Sequence, residues 1–165
     1  MDTGTGEGAW THIDQEGRAS MVDVGDKAVT QRRALAEGFV TFSPETFEEV
    51  REHRVAKGDV FATARIAGIQ GAKKCADLIP LCHPIAMDHV EIRFEEDPET
   101  SCIRILAETR STSRTGIEME AMAAVSMAAL TIYDMVKGLE RGIKLGPFRL
   151  LEKEGGRSGN WHADR

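Results

Sequence analysis

Residues 89–109, HVEIRFEEDPETSCIRILAET, hold two runs of alternating side chains around a turn, and their reading decides the fold. Val90, Ile92 and Phe94 alternate with charged residues, the period of a strand with one face in the core and one in water. EDPETS supplies the turn, and Ile103, Ile105 and Leu106 resume the apolar pattern on the return. A half-buried antiparallel hairpin follows. Its apolar face needs a second layer, and the next stretch offers one. Residues 112–142, TSRTGIEMEAMAAVSMAALTIYDMVKGLERG, read as one long helix. Thr115 stands three residues before Glu118 as a capping box, and Gly138 and Gly142 offer stops. From Ile117 to Lys137 the helix would span about 30 Å at 1.5 Å per residue.

Working outward, residues 20–42, SMVDVGDKAVTQRRALAEGFVTF, alternate in places and end in a β-rich GFVTF, so two short extended segments are expected. SPETFEEVREH has Ser43 as N-cap, Pro44 at the first helical position and Glu45 near the positive end of a short helix. KGDVFATARIAGIQGAKKCADLI sets Val60, Ala64, Ala67 and Gly71 at helical spacing, with many small residues for close packing. IKLGPFRLLEK reads as a bent strand with a Gly-Pro break. Hairpin, long helix and further strand together make an α+β sandwich, an antiparallel sheet with helices packed on one face. Residues 1–10 are expected to be a disordered lead, 11–160 one domain and 161–165 a tail, the chain after Leu151 resembling the lead in composition.

The chain has 165 residues, is 41% hydrophobic and carries a formal net charge of -6, enough for one core and poorly suited to nonspecific nucleic-acid binding. Any phosphate ligand must be held by a local cluster of cations. No apolar run approaches the roughly 20 residues of a bilayer span, and the start, MDTGTGEGAWTHID, has neither a basic nor an apolar segment. A cytoplasmic protein with no membrane partner is expected. Cys75, Cys82 and Cys102 show no CxxC spacing, so they are expected to be reduced thiols, with no metal site.

The long helix is Ala- and Met-rich on nearly every face. Such a helix is normally buried, and in a chain this small a second copy would cover the side the sheet does not. An oligomer is therefore expected. That bears on Asp134 and Lys137 in TIYDMVKG, which as an exposed pair would contribute only about 0.2–0.5 kcal/mol. Buried or interfacial, they must be paired or functional. Glu120 and Asp134, 14 residues apart, fall on similar faces but about 21 Å apart, so one chain cannot bring them into one small site; antiparallel helices of two copies could. In CADLIPLCHP, Pro80 and Pro84 stiffen a loop and push His83 toward an extended conformation, presenting an imidazole that titrates near neutrality. Arg32, Arg33, Lys73, Lys74, Lys153 and Arg157 are scattered cations, most of them expected to be solvated. Lys57 precedes a helix, where something anionic should balance it and phosphate fits. KEGGRSG could wrap an anion in backbone N–H groups or simply be flexible.

MVDVGDKAVTQRRALAEG, KGDVFATARIAGIQGAKKCADLIPLCHP, GIEMEAM, ALTIYDMVK and GGRSG, in that order, resemble the MoaC family, the cyclic pyranopterin monophosphate synthases of molybdenum cofactor biosynthesis. The resemblance runs from about Thr11 to Asn160. It implies a ferredoxin-like fold and a homohexamer, a trimer of dimers with the site at the dimer interface. The implied reaction rearranges 3′,8-cyclo-7,8-dihydro-GTP to cyclic pyranopterin monophosphate with release of pyrophosphate. By motif, the resemblance puts Lys57, His83, Asp134 and Lys137 in catalysis, and Lys57, Leu81, Cys82, His83, Glu118, Met119, Glu120, Arg32 and Lys153 around substrate. Cys75 receives no role. The conversion transfers no net electrons, so no cofactor is required; magnesium on the triphosphate stays open. Two other readings explain an interfacial Ala/Met helix. One is a non-catalytic oligomeric nucleotide-binding module, which would bind without releasing pyrophosphate. The other is a structural partner of the preceding radical enzyme, which would be insensitive at Lys57 and Lys137.

Overall fold

Asp97 shapes the turn of the central hairpin: its carboxylate accepts from Glu99 N at 3.1 Å and from Thr100 Oγ1 at 2.6 Å, and Ser101 takes a positive φ of 51°. In the computed structural model, which describes residues 18–157 and 159–164, this turn joins β2 (His89–Asp97) to β3 (Cys102–Ser113). β1 (Thr30–Thr41), β4 (Lys144–Glu154) and β5 (Trp161–His162) complete an antiparallel sheet in the order β2-β3-β1-β4-β5. The helices are α1 (Pro44–Arg51), α2 (Val60–Lys73), the single turn α3 (Cys75–Leu78) and α4 (Glu118–Val136). The result is the expected α+β sandwich of ferredoxin-like kind.

α4 lies across β1, β3 and β4, and α2 lies against α4 and β2. Ala34, Ala36, Val40, Ile92, Ile103, Ile105 and Ala107 from the sheet form one buried cluster with Ala121, Ala124, Val125, Ala128 and Ile132 of α4. Small residues let the two helices approach closely. A Cβ at Gly68 would collide with the Ile92 side chain and come within 2.9 Å of Ala124 O, and one at Gly71 would lie 3.1 Å from Ala123 O. By length and composition alone α4 could cross a membrane, although it carries Glu118, Glu120 and Asp134. Its packing between sheet and α2 makes it a core helix.

The opposite sheet face carries charge. Glu37 is 1% exposed and receives hydrogen bonds from Arg104 at 2.7 Å and Arg149 at 2.5 Å. Glu108 is held by Arg33 at 2.8 Å and Arg110 at 2.6 Å, and Arg33 also reaches Glu152 and Glu154. Arg33, expected to be solvated, is a hub of this network.

Several local expectations need correction. Residues 30–41 form one strand, not two short segments: Gln31, Arg32 and Arg33 look like a break in the apolar pattern, yet Arg33 finds carboxylates on the outer face while its neighbours stay in the ladder. The capping box is absent. Ile117 is the N-cap of α4 and has no polar side-chain atom to cap with, while Glu118, at the first helical position, pairs with Lys153 at 3.2 Å. The helix after Lys57 ends at Lys73, with α3 separate from it. Beyond Leu151 the chain is not tail-like: β4 runs to Glu154, and Trp161 and His162 pair with Lys153 and Glu152. The expected lead, residues 1–10, lies outside the described residues. α1 begins as expected, Ser43 Oγ accepting from Thr46 N at 3.3 Å.

Candidate functional site

At the N-terminal end of α4, the loop after α3 comes alongside the helix and closes a cavity of about 290 Å³. Leu81, Cys82, His83, Glu118, Met119 and Glu120 all line it, so six of the expected site residues meet in one place. His83 Nε2 lies 2.8 Å from Val22 O. A carbonyl only accepts, so this nitrogen carries a proton. Glu120 is 3% exposed. Burial pushes its carboxyl up, eased by its own backbone N–H, pushed further by the Glu118 charge and eased again by the Cys75 thiol. It is a carboxyl biased toward the neutral, proton-donating form. Burial, followed by the Glu120 charge, pushes the Cys75 thiol up to about 12, and burial also raises Cys82. Neither is set up as a nucleophile.

A second cavity, about 710 Å³, adjoins the first and shares Lys27, Thr115, Gly116 and Glu118 with it. Its wall is basic: Lys27, Arg32, Arg114, Lys153 and Arg157 stand against Asp26 and Glu118. Arg32 is fixed by donating from Nε to Ser113 O at 3.5 Å and from its terminal nitrogen to Arg114 O at 3.4 Å. Gly156, at φ +78°, packs on that guanidinium, and a Cβ there would strike it. Gly156 of KEGGRSG thus helps to seat Arg32. Five cations over two carboxylates in a net-acidic chain constitute the local cluster that a phosphate ligand requires.

Lys57, Asp134 and Lys137 meet at the other end of α4. Lys137 Nζ is 2.6 Å from Asp134 Oδ1, while Lys57 Nζ is 3.3 Å from Asp134 Oδ2 and donates to Asp134 O at 2.6 Å. The counter-charge sought for Lys57 is therefore this carboxylate and the carbonyl end of α4, with Asp59 capping α2. All three side chains are about half exposed. The Lys137 and Lys57 ammonium groups hold the Asp134 carboxyl below its ordinary range, and Asp134 holds the Lys137 ammonium above its own. In the protomer Lys137 is thus neither buried nor shifted downward. Because α4 rises about 1.5 Å per residue, this trio is about 20 Å from Glu120 in the same chain.

A model of the MoaC family matches residues 21–156, spanning both cavities and the lysine–aspartate trio. The chain belongs to the MoaC family. Proteins named cyclic pyranopterin monophosphate synthase from Thermomicrobium roseum and Methylobacterium sp. (strain 4-46) are 51% and 54% identical to it over 154 residues, 93% of this chain and 93% and 96% of theirs. The protein of the same name from Chloroflexus aurantiacus is 50% identical over 155 residues.

In this MoaC chain the expected site residues fall into two groups, one at each end of α4, as the spacing of Glu120 and Asp134 along one helix requires. Lys27, Arg114 and Arg157 were not singled out as ligands from sequence, although they line the basic cavity. A signal was present for Arg114: a cation immediately before a long helix, whose N-terminal end already favours an anion, is poorly placed unless a ligand shares the site. Cys75, Cys82 and Cys102 are free thiols.

Proposed function

We propose that the chain is a cyclic pyranopterin monophosphate synthase, converting 3′,8-cyclo-7,8-dihydro-GTP to cyclic pyranopterin monophosphate with release of pyrophosphate. The observation that carries this is the adjoining pair of cavities: a ring-sized pocket with a buried carboxyl and an imidazole opens into a basic chamber sized for a phosphate chain. Lys27, Arg32, Arg114, Lys153 and Arg157 neutralise the triphosphate. Glu120, the buried carboxyl, and His83, the imidazole beside it, move protons during ring opening and closure.

Completion of the site needs a second copy. α4 leaves Leu130 51% exposed and α2 leaves Ile66 64% exposed, an apolar surface on the side away from the sheet. Two protomers packed antiparallel through it would bring Lys57, Asp134 and Lys137 of the partner subunit to the mouth of the cavities. There the trio meets the developing phosphate charge, and burial at the interface would strip water from Lys137 and ease its deprotonation. We place this dimer within a cytoplasmic homohexamer that needs no organic cofactor, with magnesium carried only on the triphosphate.

Pyrophosphate release from freshly prepared cyclic dihydro-GTP tests the assignment, with Lys137→Ala measured beside the parent. Release by the parent and a loss of about 10²-fold or more in the variant is expected for a group acting in proton transfer. Tight binding with no pyrophosphate from the parent would make the chain a nucleotide carrier instead.

A further inference from the structure

We propose that Thr30 is a ligand of the phosphate chain, its side-chain hydroxyl donating to a phosphate oxygen in the basic cavity. This rests on the assignment of that cavity made above and adds a residue and a type of contact to it.

The starting point is an unmet requirement. Thr30 Oγ1 is buried without a hydrogen-bond partner, the single such side-chain atom among the described residues. Folded proteins satisfy nearly all buried polar atoms, and an orphan calls for an explanation. Its position supplies one. Thr30 opens β1 and lines the basic cavity with Lys27, Arg32, Arg114, Lys153 and Arg157. Side chains two apart on a strand share a face, so Thr30 and Arg32 stand on the same side, joined from β4 by Lys153 opposite Ala34.

The nearby protein groups are already engaged. Ser113, opposite Thr30 in register, donates its hydroxyl to Thr115 O at 2.8 Å. The carbonyls of Ser113 and Arg114 accept from Arg32. Oγ1 is buried in the free chain while Thr30 lines the cavity, so the proposed contact includes a rotation of Thr30 about χ1 by one staggered well that brings the hydroxyl to the cavity side when phosphate binds. There it offers what five cations do not: a neutral, directional donor on a rigid strand, whose bond to an anion is less sensitive to salt than long-range attraction.

Inorganic triphosphate is the probe, titrated calorimetrically into the full chain and into Thr30→Val and Thr30→Ser at low and high salt, with melting temperatures of the free proteins. Thr30→Val removes the orphan and keeps the shape, so the free variant should melt at or above the parent while binding triphosphate about tenfold or more weakly at both salt concentrations. Thr30→Ser should stay within about threefold of the parent, because it keeps the donor. Equal affinity of Thr30→Val and parent overturns the proposal. So does a Thr30→Ser as weak as Thr30→Val, which would make the effect one of packing, or a parent that does not bind triphosphate. A parent that binds triphosphate but releases no pyrophosphate from cyclic dihydro-GTP removes the synthase assignment and leaves the hydroxyl contact standing. Turnover with an unchanged KM in Thr30→Val does the reverse.

Discussion

Two carboxylates two residues apart on α4 meet opposite environments. Glu118 reaches Lys153 at 3.2 Å, whereas Glu120 is buried and pushed up by desolvation. A raised carboxyl pKa means that the unfolded chain ionises first: stability is fully present below the ordinary value of 4.5 and falls as pH rises through the folded pKa. At neutral pH Glu120 therefore costs stability. Glu120→Gln keeps the shape without the charge, and it should raise the melting temperature by about 2–4 °C at pH 7, the size expected from about 1 kcal/mol in a chain of this length. Pyrophosphate release by the same variant should fall sharply, because an amide cannot pass on a proton. A scanning calorimeter and the turnover assay check the two halves; a variant both less stable and fully active would show that Glu120 is structural.

Among the elements, β1 divides chemistry between its faces. Arg32 turns into the basic cavity, and the next residue, Arg33, turns to the outer face, where Glu108, Glu152 and Glu154 receive it. The alternation of strand side chains was legible in the hairpin at residues 89–109 because charge and apolar residues alternate there. It was less legible in β1, where Arg32 and Arg33 sit side by side on opposite faces and apolar residues also fall on both, so the sequence shows little contrast between them. The capping box failed for a related reason: a Thr-x-x-Glu spacing is local, while the Lys153 that captures Glu118 is 35 residues away. The outer face makes a prediction of its own. Burial works against the charge on Glu37, but hydrogen bonds from Arg149 and Arg104 outweigh it, and Arg33 and Arg110 do the same for Glu108; both carboxyls sit below 4.5. Their contribution is present above the unfolded value and is lost as pH falls through the folded ones. Glu37→Gln should cost about 1–3 kcal/mol at pH 7, moderated by the partial solvation of its arginines. The gap between variant and parent should narrow as unfolding is followed down through pH 4 to 3. A gap that is constant with pH would mean that the ion pairs contribute nothing.

At the scale of the whole molecule, one helix carries both groups of expected site residues and keeps them apart. Both groups of residues lie in motifs legible in the sequence, and helix rise alone separates Glu120 from Asp134 by about 21 Å. The division of the half at Glu120 into a ring pocket and a basic chamber was not legible, because it depends on Lys27, Arg114 and Lys153 converging from three distant segments. If each site joins the Glu120 end of one protomer to the Asp134 end of another, two inactive variants should rescue each other. Glu120→Gln and Asp134→Ala would be purified separately, dissociated, mixed in equal amounts and reassembled. In a two-fold dimer half of the random pairs are mixed, and each mixed pair has one site with both defects and one with neither, so about a quarter of the sites are intact. Pyrophosphate release should recover to about a quarter of the parental rate, with the parental KM, since the restored sites are unaltered. If reassembled mixtures are confirmed by mass yet remain inactive, each protomer must build its site alone, and the apolar face around Leu130 and Ile66 serves some purpose other than joining the two halves.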